Sequence, residues 1–155
     1  MKGIDINYKN QINTSQKSIV AVFDSGVDVN HPAIADSVWI DPNCRFDDKG
    51  SCRGLNLLEN NYDVSDEMGH GTHIAGLIAG KKYKNTRGVT PGGLLILPVK
   101  IKKNKFDSFF IRKRLISDQL AAGIKFAVDN GAKVINMSFG LPKILETPRL
   151  KKYFK

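Results

Sequence analysis

Cysteine is scarce in this chain. Its two cysteines, Cys44 and Cys52, are too few for a disulfide-built scaffold. No apolar run reaches the ~20 residues that a membrane-spanning helix needs, so no membrane partner is expected. Met1 to Gln16 is polar and lacks the apolar core of a secretory signal. Histidine is limited to His31, His70 and His73. Acidic side chains thin out along the chain. Residues 1–80 carry 11 of them against 6 basic ones, and residues 81–155 carry only 4 against 18. A basic half of that kind is one signature of nucleic-acid binding, and Lys100, Lys102, Lys103, Lys105, Arg112, Lys113 and Arg114 form its densest run. No nucleic-acid fold motif accompanies the charge. A solvated basic face is therefore the preferred reading, and no nucleic-acid partner is expected. Collagen, coiled coil, membrane channel and knottin are all excluded.

The 155 residues are 41% hydrophobic and 25% charged, a globular composition with room for one domain. Residues 1–17 read as a polar N-terminal arm. Ser18-Ile-Val-Ala-Val-Phe23 is short, apolar and β-branched, as a buried parallel strand is, and it stops at the turn signal Asp24-Ser-Gly26. Residues 39–58 read as loop with one short strand. Gly69 to Gly80 has His70, Ile74, Leu77 and Ile78 at helical spacing, with Gly80 as its C′ residue. Leu94 to Ile101 is a second strand. Ser117 to Asn130 is the clearest helix: Ser117 caps it, Leu120, Ile124 and Val128 share a face, and Asn130-Gly131 ends it. Lys133 to Met137 is a third strand. Strands alternating with helices imply an α/β domain with a parallel sheet.

Chemistry concentrates at two places. Asp24 closes an apolar strand, where a buried carboxylate is costly unless something binds it. A histidine is the obvious partner, although a strand-ending aspartate taken alone is more often a turn residue. His70 opens the helix of Gly69-His-Gly-Thr-His-Ile-Ala-Gly76, among small residues that let backbone approach the imidazole. His73, three residues on, reads as a hydrogen-bonded structural residue beneath His70. His70-x-x-His73 lacks the HExxH arrangement, and no metal is assigned to it.

Phe23-Asp-Ser-Gly-Val-Asp-Val-Asn-His-Pro32 resembles the aspartate motif of the subtilisin-like serine peptidases, and Gly69 to Gly76 resembles their histidine motif. Gly88-Val-Thr-Pro91 is similar to the segment that follows it. Val134-Ile-Asn-Met-Ser-Phe-Gly140 resembles the strand forming one wall of the substrate cleft. The four segments come in the family's order and cover about residues 18 to 142. The resemblance implies a parallel-sheet, three-layer subtilisin-like fold over residues 18–155, serine endopeptidase chemistry and a peptide or protein substrate. In it Asp24 orients and charge-stabilises His70. His70 takes the proton of a serine and passes it to the leaving amine. Ser138, Phe139 and Gly140 pair with an extended substrate backbone.

None of the chain's serines lies in the Gly-Thr-Ser-Met-Ala-like motif that carries the family's nucleophile, nor in G-x-S-x-G. The family's oxyanion asparagine also falls after the segment matching Val134 to Gly140, and Asn136 does not match it. The expectation is an apparently truncated peptidase domain, inactive alone, whose C-terminal half is a missing partner. The alternative is a non-catalytic peptide-binding module that keeps the cleft. No cofactor is expected. Many relatives have an acidic calcium ligand just after His31-Pro32, where this chain has Ala33. Asp41, Asn43, Asp47, Asp48 and Gly50 set oxygen ligands at close spacing without a complete EF-hand pattern. A solvated loop is preferred there, and a structural calcium is the alternative. A Cys44–Cys52 disulfide and the cellular location are left open.

Overall fold

The computed structural model describes residues 17–43, 52–102 and 113–139, with side chains of the last segment from residue 118 onward. Four strands form one sheet: β1 (Ser18–Asp24), β2 (Leu55–Asn56), β3 (Leu94–Lys100) and β4 (Ala132–Met137). Their order is β2-β3-β1-β4, and every pairing is parallel. β1 pairs with β3 from Ser18↔Leu94 to Asp24↔Lys100 and with β4 from Ile19↔Ala132 to Phe23↔Met137. The helices are α1 (His70–Ala79) and α2 (Lys113–Asp129), with a 3-10 turn at Ala35–Ser37.

Side-chain alternation along β1 divides the core in two. Ala21 and Phe23 join Leu97 and Val99 on one face, beneath Leu120, Ala121, Ile124 and Ala127 of α2. Trp39 closes this layer, edge-on to Phe126 with ring centroids 6.2 Å apart. Val20 and Val22 join Ile96 on the other face, beneath Ala75 and Ala79 of α1. The result is the expected three-layer α/β arrangement, helix on sheet on helix. Each large aliphatic side chain buried here contributes roughly 1.5–3 kcal/mol over its exposed state.

The strand expectations hold to within a residue or two, and β2 is the one short strand of the 39–58 region. The helices are built differently in detail. α1 faces the sheet with its small residues Gly71, Ala75 and Ala79, while Leu77 is 49% exposed. Gly80 is not a left-handed C′ residue, since its φ is −62°. It is glycine for space: a Cβ there would lie 2.5 Å from the Gly76 carbonyl oxygen, and one on Gly88 would lie 2.6 Å from the Gly80 nitrogen. The chain leaving α1 thus folds back against the helix end. α2 starts at Lys113, so Ser117 lies inside the helix and does not cap it. Its buried stripe runs through Ala127, which leaves Val128 56% exposed, off the face that Leu120 and Ile124 share. Asn130 and Gly131 end the helix as expected, with Gly131 at φ 82°. Cys52 is held in a disulfide, and Cys44, the only other cysteine, lies outside the described residues. The arm up to Gln16, the 103–112 stretch and the tail from residue 140 also lie outside them.

Gly71 fixes how closely α1 can approach β1. A Cβ there would stand 2.0 Å from the Gly26 carbonyl oxygen and 3.1 Å from the Asp24 Cβ. Gly71→Ala should therefore force the helix start away from the sheet. A loss of about 2–4 kcal/mol is expected, within the range of severe core disruption. Gly76→Ala is the control, because a Cβ on Gly76 would have open space for 4 Å around it. It should stabilise the chain by about 0.5–1 kcal/mol through helix propensity. Urea melts of both variants check the pair of signs.

Candidate active site

β1 places Val20, Val22 and Asp24 on the face that α1 covers. The strand's period therefore aims the Asp24 carboxylate at the start of that helix. Asp24 is fully buried. Its Oδ1 accepts from the Ser25 amide at 2.7 Å and lies 2.7 Å from His70 Nδ1. The His70 side chain is 43% exposed, so one edge of the ring is tied to a buried carboxylate while part of it faces solvent. That is the arrangement in which an aspartate fixes an imidazole's orientation and stabilises the charge it gains on accepting a proton. Asp24 Oδ2 is buried without a hydrogen-bond partner among the described residues.

The turn after β1 anchors the helix start. Ser25 is buried, accepting the Gly71 amide at 3.0 Å and donating to Asp66 Oδ1 at 2.8 Å. Its hydroxyl is thus committed away from His70, as its position beside Asp24 implies. Gly26 takes φ 106°, and a Cβ on it would lie 2.5 Å from the carbonyl oxygens of both Val64 and Ser65.

Asp66 is the residue that sequence reasoning missed. Its Oδ1 accepts from Ser25, Met68 N and Gly69 N, and its Oδ2 accepts from the Thr72 amide and hydroxyl. It serves as the acceptor for the otherwise unpaired amides at the N-terminus of α1. Burial pushes the Asp66 carboxyl up. The hydrogen bonds from Thr72, Ser25 and Met68 together outweigh that and hold it below the ordinary aspartate value. An aspartate four residues before the helix-opening histidine was the available signal.

Behind this turn lies Lys100, 2% exposed at the end of β3. Its ammonium donates to the Ser65 carbonyl at 2.7 Å and lies 3.6 Å from Glu67. Lys102 brings a second ammonium 3.3 Å from Asp24 Oδ1.

The remaining candidates are placed as follows. Ser138 and Phe139 follow β4 directly. Ser138 is exposed and its hydroxyl accepts from Asn136 at 2.9 Å, while Phe139 packs against the α2-side core. Gly140 lies outside the described residues. His73 is exposed and does not lie beneath His70. Three residues turn it around the helix to line, with His31, Tyr83 and Arg87, a cavity of about 310 Å³ outside α1. His31 accepts the Ala33 amide on Nδ1 and meets Tyr83 edge-on at 5.2 Å. Among the described residues, no three His, Cys, Asp or Glu side chains form a metal-holding group. Ala33, where many relatives carry the acidic calcium ligand, is 8% exposed, and its carbonyl accepts the Lys81 amide. The acidic ligand is absent at that place. Asp41 accepts from the Asn43 amide at 2.8 Å, and Asp47, Asp48 and Gly50 lie outside the described residues.

The peptidase S8, or subtilase, family model matches residues 15–152. The chain belongs to the subtilase family. It is 34% identical over 152 residues to the cell wall-associated protease of Bacillus subtilis (strain 168), covering 90% of this chain and 14% of that protein. It is 40% identical over 126 residues to fervidolysin of Fervidobacterium pennivorans, covering 79% of this chain and 16% of that protein. Among solved structures, a cold-adapted subtilisin-like serine proteinase matches at TM-score 0.61 and 24% identity, over 88% of this chain and 42% of that one. The nisin leader peptidase NisP of Lactococcus lactis matches at TM-score 0.59 and 24% identity, over 90% and 40%. The chain therefore spans about a sixth or less of the length of those two curated relatives.

Asp66 supplies a pH test of the helix anchor. A carboxylate held below its ordinary value stabilises the fold fully above about pH 4. That stability is lost as pH falls through the lower, folded-state value. Asp66→Asn should lower stability at neutral pH and remove this part of the acid limb. Urea melts from roughly pH 2.5 to 6 measure both. An unchanged acid limb would count against the role.

Proposed function

We propose that this chain carries the orienting aspartate and the general base of a subtilase serine endopeptidase site. The observation that carries the reading is the 2.7 Å contact between buried Asp24 and partly exposed His70 at the carboxyl end of the central strand. In the full reaction, a serine hydroxyl attacks the scissile carbonyl while His70 takes its proton. His70 then returns a proton to the leaving amine, and water releases the acyl-enzyme by the same route. Asp24 keeps the ring in the tautomer whose other nitrogen can accept, and it offsets the charge of the imidazolium. Ser138 and Phe139, beside β1 and following β4, are the proposed start of the wall against which an extended substrate backbone lies. The substrate is a peptide or protein.

The 155-residue polypeptide alone should not turn over peptide bonds. In subtilisin, loss of the serine costs on the order of 10⁶ in kcat, and loss of the oxyanion asparagine about 10²–10³. Those figures belong to that enzyme and set the scale here. Ser25 does not substitute, because its hydroxyl is engaged with Asp66 and Gly71. Incubation of the purified chain with a serine-directed phosphonate and with a fluorogenic peptide tests the statement. Neither labelling nor turnover is expected. Stoichiometric labelling or sustained hydrolysis would refute it, whereas peptide binding without turnover would favour a non-catalytic binding module.

A further inference from the structure

The Asp24 carboxylate has more cations and donors than the acid–base pair needs. Oδ1 receives the Ser25 amide at 2.7 Å and lies 2.7 Å from His70 Nδ1, yet the Lys102 ammonium stands 3.3 Å from the same oxygen. A carboxylate oxygen has two lone pairs, so three partners compete for it. At 3.3 Å the lysine is longer than the 2.7–2.9 Å of a strong charge-assisted bond, and it acts chiefly through its charge. Its place is enforced by backbone. Asp24 and Lys100 are register partners, and the Ile101 amide donates to the Asp24 carbonyl at 2.8 Å. Residue 102 therefore leaves the sheet directly beside the carboxylate. The Lys102 side chain is 25% exposed and Asp24 fully buried, so solvent screens the contact incompletely.

We propose that Lys102 is a positioning residue for the Asp24–His70 pair, a fixed cation that shares the carboxylate with the imidazole and restrains His70 from taking on charge. The inference rests on the subtilase reading above and adds a regulator to it. A general base becomes a cation when it accepts its proton, and the neighbouring aspartate stabilises that cation. An ammonium on the same carboxylate offsets part of the stabilisation and repels the imidazolium. The other charged groups around the pair are engaged elsewhere. Asp66 holds the start of α1, Lys100 holds Ser65 and Glu67, and Asp28 accepts the Asn30 amide on its side chain. His73, three residues along α1, faces the outer cavity.

The experiment is a pH titration of the histidine ring signals in the ¹⁵N-labelled 155-residue chain, with no substrate needed. Lys102→Met should move the His70 titration curve to higher pH, because the competing cation is gone. Lys102→Arg, which keeps the charge, should restore the original curve. Asp24→Asn should move the curve the opposite way, because the stabilising anion is gone. A Lys102→Met curve that superimposes on the wild type while Asp24→Asn shifts would overturn the lysine's role and leave the pair standing. If Asp24→Asn also leaves the curve in place, the pair itself is not formed and both statements fail. A matching shift in Lys102→Met and Lys102→Arg would show that shape matters rather than charge, which also overturns the proposal.

Discussion

The contact between α1 and β1 at Gly71 and Gly26 governs everything else at the site. The helix start comes so near the strand end that no side chain fits between them. This approach lets a side chain at residue 70 reach one at residue 24 across a single hydrogen bond. The small residues Ala75 and Ala79 continue the close packing down the helix. The distances at the site are thus set by backbone against backbone. Such a fit tolerates little adjustment, because interiors are packed to crystal-like density. A helix that met the sheet through leucines would hold its first residue farther away.

Around that contact the polar groups are nearly all spent. A buried carboxylate is costly without partners, and Asp24 gathers its partners on one oxygen. The amides at the helix start would otherwise be unpaired, and Asp66 takes them while also accepting from Ser25. Lys100, almost wholly buried, fixes the carbonyl of Ser65 next to Asp66. Strand, turn, loop and helix are therefore joined through a short series of charged and hydrogen-bonded groups. The geometry of the Asp24–His70 contact depends on residues that lie outside it.

Much of this is legible in the sequence. The Ser18–Phe23 run is short, continuously apolar and β-branched, and with the apolar Leu94–Ile101 stretch it marks buried parallel strands. The two motifs around Asp24 and His70 point to the pair that the fold joins. The losses have physical reasons. Helical spacing of Ile74, Leu77 and Ile78 suggests a large apolar face for α1; Ile74 and Ile78 do pack against the core, while Leu77 is exposed and the closest approach to the sheet is made by Gly71, Ala75 and Ala79. Ser117 resembles a cap because good capping residues also occur inside helices, and periodicity alone does not locate a first turn. Gly80 reads as a left-handed stop, whereas the demand on it is space. Asp66 shows locally only as an acidic residue four positions before the helix-opening histidine, and its bond to a serine forty-one residues away leaves no mark in the sequence.

The strand registers also divide the site's parts along the chain. β1 pairs on one edge with β3, at Ser18↔Leu94, and on the other with β4, at Ile19↔Ala132. The Asp24–His70 bond and its anchors Ser25, Asp66, Lys100 and Lys102 all lie within residues 24–102. A chain synthesised from its N-terminus therefore contains every part of the pair before α2 and β4 exist. Closing β1 onto β4 requires the longer loop, and distant parallel pairings are slow to form. Until that closure, one edge of the central strand and the face of Ala21 and Phe23 stand open to other chains. An unpaired strand edge and an uncovered apolar face of that kind are what make incomplete chains prone to misassembly.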